Sequence, residues 1–141
     1  MPLRGIATKV SRYADQITDF KAGQKDTKFL IDDATFQSLI CYELLDDSFR
    51  DQINTNFLVV QTNNATFGDT AQLDQQLNIA RVRAIETGRY IAYVSTTGTT
   101  SFIDNRGKII EKLPKFESST LFGEVNHVIG ITTTQIIGKY L

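Results

Sequence analysis

Proline is almost missing from this sequence, with only Pro2 and Pro114 in 141 residues; tryptophan is absent, and cysteine, histidine and methionine occur once each. One cysteine excludes an intramolecular disulfide and any multi-cysteine zinc site, and His127 alone supplies no set of metal ligands. Two prolines and nine scattered glycines leave no linker, so the chain reads as one domain or part of one. No stretch approaches the roughly 18 continuous apolar residues of a membrane-spanning helix. Neither sign of charge is in excess: 15 basic residues face 16 acidic ones, which gives no footprint for nucleic acid. Lys9, Arg12, Lys21, Lys25 and Lys28, which make the first thirty residues locally basic, read as a solvated face. The opening MPLRGIATK has neither the apolar core nor the small-residue cleavage pattern of an export signal, so the sequence predicts a soluble chain with no export signal. There is no Gly-rich phosphate loop and no Ser/His/Asp set, and no cofactor is expected.

What is present is an ordinary globular composition, 41% hydrophobic and 22% charged. Ile6, Val10, Tyr13 and Ile17 recur at helical spacing before a turn at Lys21 to Asp26. Lys28 to Ile31 and Thr35 to Cys41 read as two strands of a hairpin turning at Asp32-Asp33. Asp46 or Asp47 can cap a helix running through Asn54, with Phe49 and Ile53 on one face. Asn56 to Gln61 is the compact apolar run of a strand covered on both faces. After a polar loop, Asp69 and Gln72 fit a capping box; Leu73, Leu77, Ala80 and Ala84 form one apolar stripe, and Gly88 ends the helix. Tyr90 to Val94 reads as a strand, Asp104 to Gly107 as a hairpin turn between Thr100 to Ile103 and Lys108 to Ile110, and Thr120 to Val125 as a last strand. Strands alternating with helices, plus hairpins, predict an α/β layered domain with a mixed sheet.

Cys41 closes the strand that begins near Thr35. Strand ends in α/β proteins display nucleophiles, because the sheet fixes the side chain while the next loop leaves it open; free cysteines are also commonly inert hydrophobes of the core. Continuing the strand would put Glu43 on the same face as the thiol, where its negative charge is a poor activator. Pairing with His127 is the other way to a base. Asn63, Asn64 and Thr66 sit between a strand and a helix start, where amides either line a pocket or cap the loop. Asn64-Ala65-Thr66 also matches the glycosylation pattern, with no export signal to support it.

Three segments, LICYELL (39–45), VVQTNNATFGDT (59–70) and QQLNIARVRAIETGRYIAYVSTTGTTSFIDNRGKII (75–110), together resemble the carboxyl-terminal half of the nitrilase-like domain of the apolipoprotein N-acyltransferase family. The likeness runs in consistent order from about Phe36 to about Val125. It implies part of an α-β-β-α sandwich with a mixed sheet. It also implies that Cys41 takes an acyl group from a phospholipid as a thioester and passes it to the terminal amine of a lipoprotein. Tyr42 and Glu43 match positions that support the pocket, and Asn63 and Asn64 lie in the matching loop. The wider superfamily works with a Glu, Lys and Cys triad in which Glu is the base, and no residue here matches the Glu or the Lys. Lys9, Lys21, Lys25 and Lys28 all fall after the place where that lysine belongs. The resemblance therefore implies a partial carbon-nitrogen hydrolase domain over residues 1–141, its amino-terminal half and membrane helices absent and its Met1 internal in a longer gene. The family's domain lies on the outer face of the cell membrane. Two further readings stay open: a soluble amidase or nitrilase of the same superfamily, and a non-catalytic remnant that pairs with a separately encoded upstream half.

Overall fold

The computed structural model describes residues 27–140. The helical spacing of Ile6 to Ile17 and the turn at Lys21 to Asp26 lie outside the described residues. Six strands form one mixed sheet in sequential order. Strands β1 (Lys28–Ile31) and β2 (Ala34–Ile40) form the expected hairpin, with Asp32 supplying the positive φ of 52° that a tight turn needs. A 3-10 turn (Cys41–Leu45) and helix α1 (Asp47–Gln52) then carry the chain to β3 (Phe57–Thr62), which is parallel to β2. Helix α2 (Ala71–Thr87) crosses over to β4 (Ile91–Ser95), parallel to β3. Strands β5 (Ser101–Ile103) and β6 (Ile109–Lys112) complete the sheet as antiparallel neighbours.

Alternation sets the two faces of this sheet. Leu39, Leu58, Val60, Ile91 and Tyr93 point to one side and are buried there against α2, whose Leu77, Ala80 and Ala84 form the expected stripe. Two alanines at the contact let the helix sit close to the strands. The other side carries Ala34, Phe36, Ser38, Ile40, Phe57, Val59, Gln61, Ala92, Val94 and Phe102; Ala34 and Phe57 are buried and the other eight are half-buried or exposed. At its start, Phe29, Phe36 and Phe57 stack across three strands at 5.1 and 5.3 Å. Ile40 and Val94 stand 62% and 49% exposed at its far end.

Gly88 ends α2 in the left-handed conformation, as its position predicts. The helix begins differently from expectation. Thr70 holds the N-cap position, and no side chain caps the first turn, so the Asp69 box does not form. Helix α1 is capped by Asp46, whose carboxylate accepts from the Ser48 amide at 2.8 Å, and it stops at Gln52, short of Asn54. The strand expected at Thr120 to Val125 is not formed. That segment passes over β5 with Gly123 against the Phe102 ring, so close that a Cβ would lie 2.4 Å from Cδ2; its backbone packs on an aromatic face instead of a strand edge.

The chain then returns beneath the sheet as a strap. Val128 exchanges hydrogen bonds with Asn56, its amide donating to the Asn56 carbonyl and its own carbonyl accepting from Asn56 Nδ2, both at 3.2 Å. Fully buried Arg89 donates to the carbonyls of Thr55, Thr87 and Gly130. Helix α3 (Thr133–Gly138) follows, and its buried Gln135 amide donates to the carbonyls of Arg50 at 2.9 Å and Ile53 at 2.7 Å.

Candidate functional site

Parallel pairing of β2, β3 and β4 brings three carboxyl ends to one edge of the molecule, where loops are free to carry chemistry. Cys41 leaves the end of β2 with φ of 52°, a conformation that costs a non-glycine residue on the order of 1 kcal/mol and re-aims its side chain. The strand does not continue, so Glu43 does not share a strand face with the thiol. Its carboxylate turns back instead and accepts from the Ile40 amide at 2.7 Å, closing the 3-10 turn on itself. Tyr42 is 38% exposed beside it; burial, and then the charge of Cys41, push its phenol above the ordinary value.

The turn is clasped from α2. Arg83 donates through Nε to the Leu44 carbonyl at 2.8 Å and through Nη2 to the Leu45 carbonyl at 3.0 Å, while Asp47 and Glu86 each accept from it at 2.7 Å. Arg83 lies off the apolar stripe of α2, where helical spacing gives it no role. The signal available was the Arg-x-Arg pair: Arg81, two residues earlier, donates to the Gly107 carbonyl at 2.8 Å and so anchors the opposite side of the helix.

At the end of β3 the two asparagines divide. Asn64 is 1% exposed: its Oδ1 accepts from Thr62 Oγ1 at 2.6 Å, its Nδ2 donates to Ser95 Oγ at 3.1 Å and its amide donates to Thr96 Oγ1 at 3.0 Å. It ties β3 to β4, and its burial leaves the Asn64-Ala65-Thr66 pattern without an accessible acceptor. Asn63 is exposed, its Oδ1 accepting from Thr96 Oγ1 at 3.1 Å, and it faces the edge with Thr66. Gly98 closes the neighbouring loop by donating to Ser95 Oγ at 2.9 Å; a Cβ there would lie 2.7 Å from the same atom, so only glycine fits.

His127 is far from this edge. It stacks on Phe57 at 6.5 Å, and Phe57 pairs with Phe36 at the start of β2. Cys41 lies five residues further along, roughly 16 Å away at strand spacing. The Cys/His pairing is thus ruled out by the register. Among the described residues no three His, Cys, Asp or Glu side chains are grouped to hold a metal ion, and no helix is long and apolar enough to cross a membrane.

A mixed α/β sheet with helices on one face, presenting a strained cysteine at the carboxyl end of a central strand, is the class of protein that fold and site define. The carbon-nitrogen hydrolase family model matches residues 9–132, and the chain belongs to that family. It is similar to the apolipoprotein N-acyltransferase of Wigglesworthia glossinidia brevipalpis, 34% identical over 137 residues that cover 94% of this chain and 28% of the relative. The protein of the same name from Haemophilus ducreyi is 36% identical over 113 residues, covering 75% and 22%. The chain thus spans about a quarter of the length of these curated relatives. Among solved structures, XC1258 of Xanthomonas campestris, a CN-hydrolase superfamily protein, superposes with a TM-score of 0.62 at 16% identity, over 77% of this chain and 47% of that one. An amidase from Nesterenkonia sp. gives 0.61 at 14% identity, over 91% and 52%. These two likenesses establish the nitrilase-type fold.

Proposed function

We propose that Cys41 is the nucleophile of an N-acyltransferase acting on lipoproteins, and that this chain is the part of the catalytic domain bearing it. The strained, clasped turn at Cys41 is the observation that carries the reading, supported by the acyltransferase relatives that match around it. The Cys41 sulfur attacks the carbonyl of a phospholipid acyl ester; the C–O bond breaks and the lysophospholipid leaves as its alcohol. The terminal amine of the lipoprotein then attacks the thioester, an amide forms, and the thiol is restored with the amine's proton. Tyr42 and Asn63 line the approach, while Glu43 and Asn64 hold the backbone that presents it.

The base and the charge-stabilising lysine come, on this reading, from an upstream half of the domain. Exposed Ile40 and Val94 on the side of the sheet away from the helices support it, because a four-layer sandwich needs a second sheet there. Triad members act as a unit, so their loss lowers the rate by about 10³ or more. The family's domain works at the outer face of the cell membrane, and the same site is proposed here.

The test is intact mass after incubation with an activated acyl ester, with and without an upstream half supplied from a relative. An acyl adduct confined to Cys41, lost in Cys41→Ala and discharged by a lipopeptide amine, is the expected result. Release of ammonia from small amides, without acyl transfer, would overturn it in favour of a hydrolase.

A further inference from the structure

Tyr93 is 1% exposed, and its hydroxyl has no hydrogen-bond partner. Leaving a buried phenol in that state costs its desolvation without return, and calls for an explanation. Its two polar neighbours bond elsewhere: Thr62 Oγ1 donates to Asn64 Oδ1 and Asn64 Nδ2 donates to Ser95 Oγ. They lie near enough to act on the phenol without meeting hydrogen-bond geometry. Tyr93 lines a cavity of ≈ 10 Å³ whose other walls are Cys41, Thr62, Gln76 and the apolar side chains of Leu44, Leu45 and Ile79. That volume is about one water molecule, and the walls offer a phenol, a hydroxyl, an amide and a thiol.

We propose that Tyr93 is a positioning residue for Cys41, holding its sulfur from the inner side through one water bound in this cavity. The unpartnered hydroxyl is the observation independent of the cysteine. Burial pushes the phenol above its ordinary value, and the charge of Cys41 pushes the same way, against Thr62 and Asn64. The phenol has one O–H to give, and that water can accept it. The water passes that donation to the sulfur, and the apolar walls leave it few other orientations. Residues of two strands, a helix and the 3-10 turn converge behind the nucleophile in this way, whereas Asn63 and Tyr42 stand in front of it.

The role rests on Cys41 being the nucleophile, yet its test needs no acyl chemistry. The rate at which iodoacetamide alkylates the 141-residue chain is followed by intact mass from pH 6 to pH 10, for the wild type and Tyr93→Phe. A donor to sulfur enlarges the thiolate population but lowers the nucleophilicity of each thiolate. Tyr93→Phe should react about two- to threefold more slowly at pH 7 and faster than wild type at pH 10, so that the two curves cross. Curves that coincide, or that stay parallel as a general loosening would make them, overturn the proposal. If Tyr93→Phe does not fold, a high-resolution crystal structure of the wild type decides. A water within hydrogen-bond distance of Tyr93 Oη and Cys41 Sγ supports the role, and any other arrangement overturns it. Crossing curves without an acyl adduct would sink the acyl-transfer reading alone, and an adduct without crossing would sink this one alone.

Discussion

Four hydrogen bonds from one guanidinium explain why position 83 holds an arginine. A lysine presents a point charge and cannot reach the Leu44 and Leu45 carbonyls, Asp47 and Glu86 at once. Arg83→Leu is expected to destabilise the fold by about 2 kcal/mol, read as a shift in the urea midpoint, and to slow acylation of Cys41 tenfold or more. Arg83→Lys should recover stability in part and acylation hardly at all, since the fork geometry holds the turn; equal recovery of both would show that Arg83 acts through charge alone. The thiol itself was legible in the sequence, because an apolar run ending in cysteine is a pattern on the page. Its turn was not: nothing in Cys-Tyr-Glu announces a positive φ, and glycine, the usual marker of that conformation, is absent there. Asn64 was legible as a loop residue but not as a buried tie, since its three partners come from strand ends 2 to 32 residues away.

Helix α1 depends on its first residues more than on its length. Hydrogen bonds from the Ser48 side chain and backbone hold the Asp46 carboxyl below its ordinary value, and the bond and charge of Arg83 do the same for Asp47. A depressed carboxylate adds stability that is fully present above its unfolded value and is lost as pH falls through the folded one. The chain should accordingly hold its stability from pH 7 to about pH 5 and lose it progressively below about pH 4. Asp46→Ala should cost about 1 kcal/mol at pH 7 and make the decline below pH 4 shallower, measured as urea midpoints across the range; an unchanged slope would remove Asp46 from the account. Elements with a local signature were readable in this way. Short apolar runs marked β2, β3 and β4, the Asp-Asn-Arg-Gly turn marked the β5–β6 hairpin, and Gly88 marked the end of α2. Where tertiary contacts decide, the sequence misled. Thr120 to Val125 has strand composition but meets an aromatic ring, and Asp69 has a capping pattern one residue out of place.

One side of the molecule is finished and the other is not. Helices cover Leu39, Val60 and Tyr93, whereas Ile40 and Val94 face outward, and among the described residues β1, with Phe29, Leu30 and Ile31 all exposed, forms an edge of the sheet. Such an edge templates further strands. The isolated chain is expected to bind anilinonaphthalene sulfonate and to sediment as a concentration-dependent mixture. Leu30→Lys should reduce the association without lowering the thermal midpoint, and co-expression with an upstream half should abolish the dye signal. A monodisperse chain that binds no dye would mean that the open face needs no cover. The strap has a different consequence, one of timing. Gln135 reaches back 82 and 85 residues to Ile53 and Arg50, and Gly130 reaches back 41 to Arg89, so these contacts close long loops, and loop closure of that kind comes late. While the ribosome still holds residues 128–135, Arg89 lacks one of its three carbonyls, and those of Arg50 and Ile53 lack the Gln135 donor. The sheet can assemble during synthesis, but it is locked only when residues 128–135 emerge, which leaves a nascent domain open to chaperones and proteases until then.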